Sequence, residues 1–505
     1  MADEKWARRG FWCFAVAHVA LWTIVPLWIQ PNPPLDTVEV VAWGHEWQMG
    51  YTKHPPLVAW LAEAARSIGG AGGLLPIYLL GQLCVVTAFW AVWRLGLEVT
   101  NAWVALAAVV ALETTGRYTW MTLEFNHSLV DLPFFALTAL FLYRALMRGQ
   151  FGGWLATGAS FGLGLMAKYT ILLQGVVIAL FLLTSREARR RATGVGPYLA
   201  LSVATLIVLP HAIWLVANGF PTISYVAERG RSAAGALGHI LHPFDFLGRQ
   251  LLMLEFLFLT LLALVAWPVR LRPLTADERF TRRYLVAMAL GPGLILFCVA
   301  AVTGMKLRPA WGMPLWSALG ILILFSFEMR PRGEVWRRAA LACLLFGLVN
   351  LVLALVEGVA GPYITGRGFR THFPGRALAT HAAEVWSQRF DVPLSLVGGE
   401  RWLAGNVAFY APSRPSMLSN DGLGSSAPDE TVAPWTGIAD FQNRGGVLVW
   451  FADREGEALP RELEQYFPDA ETLPTLTLPW QTRAPLKPVN IGMAVVAPRS
   501  KTPSR

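Results

Sequence analysis

Apolar runs of about 18 to 23 residues recur along this chain from near its N-terminus to about residue 356, and no other feature limits its fold as strongly. A helix rises 1.5 Å per residue, so each run covers a hydrocarbon layer of about 30 Å, where only helices or a closed barrel satisfy their own backbone groups. The runs are continuous rather than alternating, which specifies helices. The fold class is therefore mostly α, a polytopic helical membrane protein. Spans near 11–29, 74–93, 102–116, 128–146, 153–168, 170–185, 197–217, 247–268, 285–303, 311–328 and 339–357 predict about eleven transmembrane helices. A composition that is 54% hydrophobic and only 15% charged agrees, being far from that of an ordinary soluble domain. Cys13, Cys84, Cys298 and Cys343 all lie inside apolar runs, where they serve as small apolar groups and not as a disulfide framework.

The net charge of +9 has a location that argues against nucleic acid. Basic residues gather in alternate loops: Lys5, Arg8 and Arg9; Arg94; Arg144 and Arg148; Arg186 to Arg191; Arg270 to Arg283; Arg330 to Arg338. By the positive-inside rule these loops are cytoplasmic. Loop 30–73 and everything after about residue 358 then lie on the outer side. The apolar stretch interrupted by Lys168 reads as two short spans, because that keeps the basic clusters evenly spaced. The first run lacks a small-residue cleavage signal and reads as a retained anchor.

Two outer regions have internal order. In loop 30–73, Asp36 followed by Glu39 resembles a capping box and predicts a helix over 37–48. Pro55-Pro56 predicts the start of a second helix, whose Leu57, Trp60, Leu61 and Ala64 share one face, as in a helix lying in the membrane interface. Residues 365–498 are richer in glycine, proline and acidic residues. There "VPLSLVGG", "GGVLVWFA" and "NIGMAVVAP" predict buried strands, and "RALATHAAEVWSQRF" and "LPRELEQYF" predict helices. The domain reading is a membrane domain over 1–360 that includes loop 30–73, a small extramembrane α/β domain over 365–498, and a disordered tail over 499–505.

The charged residues of the outer side carry the chemistry. In "GYTKHPPLVAWL", Lys53 and His54 precede a helix start, where free N–H groups and the positive dipole end favour an anion. Lys53 could equally snorkel to headgroups. Asp36 reads either as a plain N-cap or as a general base, with Glu39 one turn on to assist. Glu124, Asn126, His127 and Asp131, and Lys168 inside an apolar stretch, are functional candidates because charge near or within a membrane is costly; Asp131 with Lys168 could also be a structural pair. Lys306 and Arg308 stand before a span opened by Trp311, placed to hold a phosphate or to face headgroups. His211 reads as a packing residue. A divalent metal at Glu39 with His45 or His54 is an alternative without a recognised ligand pattern, and no other cofactor is indicated. Neither a P-loop nor H-E-x-x-H occurs, so a lipid-linked phosphate donor suits the charges better than a bound nucleotide.

The stretch "YTKHPPLVAWL" resembles the K/D-H-P-P-L motif of the bacterial dolichyl-phosphate-mannose protein mannosyltransferase-like family, within the GT-C glycosyltransferases. The aminoarabinose and galacturonic acid transferases that decorate lipopolysaccharide are relatives. Asp36 occupies the first-loop acidic position, "NHSLVDLPFFAL" resembles the segment around Asp131, "GLGLMAKYTILL" resembles the glycine-rich helix ending in a lysine, and "KLRPAWGMP" resembles the K-x-R-x-x-W-x-x-P element. Thr52-Lys53-His54 stands where the aminoarabinose enzymes have Glu-Lys, and Trp311 where they have tyrosine. The resemblance implies a GT-C fold and an inverting glycosyltransferase using a polyprenyl-phosphate-sugar donor. Asp36 is then the base, Lys53, His54, Lys306 and Arg308 meet the donor phosphate, and Glu39, Asp131, His127, Lys168 and Trp311 support them. It further implies the bacterial inner membrane, with the site and the C-terminal domain facing the periplasm, and an acceptor in lipopolysaccharide, lipid A or another envelope glycan. Protein O-glycosylation and transport of lipid-linked sugars are the competing functions.

Overall fold

The computed structural model describes residues 2–70, 73–230, 235–418, 428 and 435–499, so the tail expected to be disordered lies, past residue 499, outside the described residues. In chain order the helices are α1 (Ala2–Ile29), α2 (Leu35–His45), α3 (Leu57–Gly69), α4 (Leu75–Val99), α5 (Ala102–Glu113), α6 (His127–Arg148), α7 (Phe151–Ala167), α8 (Ile171–Thr184), α9 (Arg186–Arg191), α10 (Gly196–Ala217) and α11 (Pro221–Arg229). They continue with α12 (Gly238–Met253), α13 (Glu255–Leu264), α14 (Ala276–Thr303), α15 (Leu319–Ser326), α16 (Arg332–Leu355), α17 (Gly361–Thr365), α18 (Gly375–Ser387) and α19 (Arg401–Tyr410).

Every predicted span overlaps a helix, but the helices are not alike, and the span predicted over 311–328 is α-helical only over Leu319–Ser326. Among the described residues six are long and apolar enough to cross a membrane alone, and two bent pairs raise that number to eight. The pairs are Gly235–Met253 with Glu255–Leu264, bent by 54°, and Pro309–Trp316 with Leu319–Ser326, bent by 47°. The segments Ala102–Glu113 and Ile171–Thr184 are apolar but shorter. Lys168 explains the division around it: it closes α7 in an extended conformation, and α8 starts three residues later, giving the two helices expected.

The chain forms two units, one of residues 1–24, 53–57 and 78–354, the other of residues 25–52, 58–77 and 355–505. Loop 30–73, read from sequence as part of the membrane domain, thus shares most of its residues with the C-terminal unit. In the first unit α7 meets α10 at Gly158 and Gly162, a small-xxx-small pair. A Cβ at Gly158 would fall 2.3 Å from the carbonyl oxygen of Ala200, so only glycine permits this approach. Deep in the same unit His18 bonds Glu113 at 2.7 Å and Gln82 at 3.1 Å, satisfying polar groups that an apolar interior would otherwise penalise.

The second unit carries a six-stranded mixed sheet built from β1 (Leu396–Gly399), β2 (Ser416–Met417), β3 (Gly446–Phe451), β4 (Glu471–Thr472), β5 (Leu476–Leu478) and β6 (Val489–Val496). Its order is β2-β1-β3-β6-β4 with β5 also on β6; β2, β1 and β3 are parallel, and β6 runs antiparallel to β3, with Leu448 opposite Ala494. The three strands legible in the sequence are the central β1, β3 and β6. Their near-continuous burial explains why they read as apolar runs. Leu396, Phe441, Leu448, Trp450 and Phe467 fill one core over this sheet.

Candidate functional site

The first unit gathers four of the basic candidates. Asn126 caps α6, its side-chain oxygen accepting from the N–H groups of Ser128 at 2.9 Å and Leu129 at 3.1 Å, which sets His127 at the first helical position. His127 stacks on His54 with ring centroids 3.8 Å apart. Lys53 reaches the face of Tyr225 at 5.8 Å, and the same tyrosine stands edge-on to His54 at 6.3 Å. Lys53, His127 and Lys168 are only 4%, 5% and 6% exposed, so these basic groups are withdrawn from water. His54, Lys168 and Lys53 are all close enough to act electrostatically on His127.

A hydrogen-bond chain extends the cluster. The Lys168 ammonium donates to Ser128 Oγ at 2.7 Å, and the Ser128 hydroxyl donates to the Ala310 carbonyl at 3.3 Å. Asp131, one turn after Ser128 and fully buried, accepts from Thr170 Oγ at 2.5 Å and interacts with the charge of Lys168. Lys168 and Asp131 thus act on each other, as read, with Thr170 between the break and the carboxylate. Tyr169, next to Lys168, bonds the buried His211 at 2.5 Å.

Lys306, Arg308 and Trp311 belong to the segment tied to this cluster through Ala310, but their own side chains are not bonded to it. Lys306 and Arg308 are exposed, Trp311 is half-buried, and Lys306 acts electrostatically on Asp245. The family resemblance has Lys306 and Arg308 meet the donor phosphate together with Lys53, and Trp311 support them; these exposed and half-buried positions are where the folded chain puts them. Tyr225, Ser128 and Thr170 escaped sequence reading; an uncharged side chain in an apolar segment gives no signal until the chain folds around it.

Asp36 and Glu39 stand in the second unit. The helix starts at Leu35, two residues earlier than predicted, with Pro34 in the cap position and no side-chain cap. Asp36 is therefore inside the first turn, and the capping-box reading is corrected: Pro34 already supplies the fixed φ that starts a helix. Its carboxylate still faces the positive end of the helix dipole. Glu39 pairs with Arg401 at 3.3 Å, both side chains largely buried, so a metal at Glu39 would have to displace an arginine. Among the described residues no three His, Cys, Asp or Glu side chains group as metal ligands.

Further along, α3 begins at Leu57, directly after the prolines, and buries the face opposite to Leu57, Trp60, Leu61 and Ala64. That buried face holds Glu63 and Arg66. Glu63 accepts from both ends of the Arg414 guanidinium at 2.5 and 2.7 Å and lies 3.9 Å from His45. Burial alone would push the Glu63 carboxyl up, but bonds and charge from His45 and Arg414 outweigh it and hold it down at about 2. Gly44 lets α2 cross α3 closely, because a Cβ there would sit 2.2 Å from the Ala59 carbonyl oxygen.

A polytopic helical chain with a mixed-sheet domain and a buried basic cluster at the ends of its spans is a membrane protein with the GT-C glycosyltransferase fold. Residues 53–214, which contain the whole cluster except Tyr225, match the dolichyl-phosphate-mannose-protein mannosyltransferase family profile. The chain is 26% identical over 492 residues to the lipopolysaccharide core galacturonosyltransferase RgtA of Rhizobium johnstonii, covering 92% of this chain and 90% of that one. It is 23% identical over 475 residues to the lipid A galacturonosyltransferase RgtD of the same organism, covering 80% and 93%. Its fold is that of ArnT from Cupriavidus metallidurans, with a TM-score of 0.64, 15% identity, and coverage of 97% of this chain and 98% of that one. The ArnT structure bound to undecaprenyl phosphate superposes equally well, with a TM-score of 0.63 at 14% identity and the same coverage of both chains.

Proposed function

We propose that this protein transfers galacturonic acid from a polyprenyl-phosphate donor to a sugar hydroxyl of lipopolysaccharide, at the periplasmic face of the bacterial inner membrane. The observation that carries the proposal is the cluster of Lys53, His54, His127 and Lys168. Two buried ammonium groups beside two imidazole rings can give a phosphate charge-assisted hydrogen bonds in a place shielded from water, where such bonds are strong. A donor whose tail stays in the bilayer brings such a phosphate to the membrane boundary. The sugar and acceptor are those in the names of the galacturonosyltransferases to which the chain is similar.

In this reading the bond between the anomeric carbon and the phosphate oxygen breaks, and its electron pair stays on the departing polyprenyl phosphate. Lys53 and Lys168 stabilise that charge as it develops, an effect of the oxyanion-hole kind. The acceptor hydroxyl oxygen bonds the anomeric carbon from the opposite face, with inversion, and gives its proton to Asp36, the base implied by the family resemblance. Ser128 and Asp131 hold Lys168 in place. Lys306 and Arg308, on the exposed segment after α14, meet the donor as it enters.

Mass spectrometry of lipopolysaccharide from cells lacking the gene, complemented with wild type or Lys53→Ala, tests this. Loss of a uronic acid restored only by wild type is expected. An unchanged lipopolysaccharide with a changed glycoprotein profile would move the acceptor to protein, and no change in either would overturn the proposal.

A further inference from the structure

The C-terminal unit contains a second feature that transfer chemistry does not use. A cavity of about 890 Å³ opens among the segment 366–370, the start of α19 and the loop 485–490, all within one unit. Arg367, Arg370, Arg454 and Lys487 bring four positive charges to its walls, and Trp402 and Trp480 bring two indole rings. Two carboxylates are present, but both are engaged in the fold. Glu400, 2% exposed, caps α19 by accepting from the Leu403 N–H at 3.0 Å. Asp453 accepts from the Asn490 backbone at 3.0 Å and from its amide at 2.8 Å. Among the described residues none of the four cations is ion-paired to a carboxylate.

The aromatic wall is rigid. Phe373 packs edge-on against Trp402 at 5.8 Å and Trp480 at 6.0 Å. Gly368 lies so close to the Trp480 indole that a Cβ would fall 2.2 Å from it, which fixes the ring against the main chain. Arg370 stands over Trp402 at 5.7 Å and Arg454 over Phe451 at 4.8 Å, so two guanidinium groups are held beside the rings and not dispersed in water. Flat amphipathic rings favour the C–H face of a sugar, and forked guanidinium groups favour a carboxylate or phosphate. The volume is that of a cleft for a small ligand.

We infer that this cavity binds an acidic saccharide, a sugar bearing carboxylate or phosphate, and so holds the acceptor glycan by its charge. The inference rests on the proposed function and adds the chemical feature by which the acceptor is recognised. The test is calorimetric titration of the full chain in detergent with trigalacturonate, glucose 6-phosphate and neutral maltotriose, for wild type and for the double variant Arg454→Glu/Lys487→Glu. Both positions are exposed and outside the core, so the variant should fold, as its unfolding temperature will show. Binding of at least one anionic probe, weakened at least tenfold by the double variant and absent for maltotriose, is expected. Equal binding of maltotriose, binding unchanged in the variant, or no anionic probe binding at all overturns the inference. Sugar transfer to a lipopolysaccharide acceptor, measured in parallel, separates the two readings. Probe binding without transfer leaves the cavity assigned and removes the proposed function; transfer without probe binding does the reverse.

Discussion

Two groups of buried charged and basic side chains, one in each unit, are built differently. In the second, two carboxylates of α2 and α3 meet an opposite charge: Glu39 has Arg401, and Glu63 has a bidentate Arg414. In the first, Lys53, His54, His127 and Lys168 lie together, with Asp131, itself bonded to Thr170, beside Lys168. Paired charge holds a fold together, since removing one partner strands the other in a low dielectric. A group of basic side chains held out of water is instead suited to donate charge-assisted hydrogen bonds to an anionic ligand. On the proposed function, the contrast separates residues that build the protein from residues that meet its donor.

The largest effect expected belongs to Asp36, which stands in the ion-paired unit yet carries a proposed catalytic role. Asp36→Asn should lower transfer by at least about a thousandfold, a loss of about 4 kcal/mol of transition-state stabilisation, with an unchanged unfolding temperature. Single-turnover kinetics with lipid-linked donor would show it. Full activity of the variant would place the base elsewhere.

How far the sequence revealed this arrangement depended on range. Apolar runs, the interruption at Lys168 and the central strands β1, β3 and β6 are local signals and were legible. Lys53 and His54 stood out because charge before two prolines in an apolar chain is costly. The partners were not legible. Glu63 meets Arg414 across 351 residues, and Tyr225 joins Lys53 from a helix with no charge pattern that points to it. The capping box at Asp36 failed because Pro34 starts α2 first. Membership of loop 30–73 in the C-terminal unit follows from those distant ion pairs and not from any composition shift.

Glu63→Ala should be next in size and opposite in kind: it should destabilise the protein by about 2 kcal/mol by leaving the half-buried Arg414 without its buried partner. Thermal unfolding in detergent measures it, and donor binding should not change. A wild-type unfolding curve would show that the pair is dispensable. Gly44→Ala should cost about 2 kcal/mol, because the clash is with the Ala59 backbone and cannot be relieved by a rotamer change. A stable Gly44→Ala protein would mean that α2 and α3 can separate.

The smallest effect is on pH dependence. Glu63 titrates at about 2 when folded against an ordinary 4.5, so the unfolded chain binds the extra proton between those values. The stability it supplies is complete above about 4.5 and is lost as pH falls toward 2. The unfolding temperature should drop through that window in wild type, and Glu63→Gln should remove part of the slope. An identical slope in the variant would assign the acid sensitivity to other carboxylates.

The most direct test is to titrate undecaprenyl phosphate into wild type, Lys53→Ala, His127→Ala and Glu63→Ala at two salt concentrations. The basic cluster predicts binding to wild type that weakens with salt, falls at least tenfold in Lys53→Ala and His127→Ala, and persists in Glu63→Ala once that variant is shown to be folded. Equal affinity in all four proteins would show that the cluster does not hold the donor phosphate.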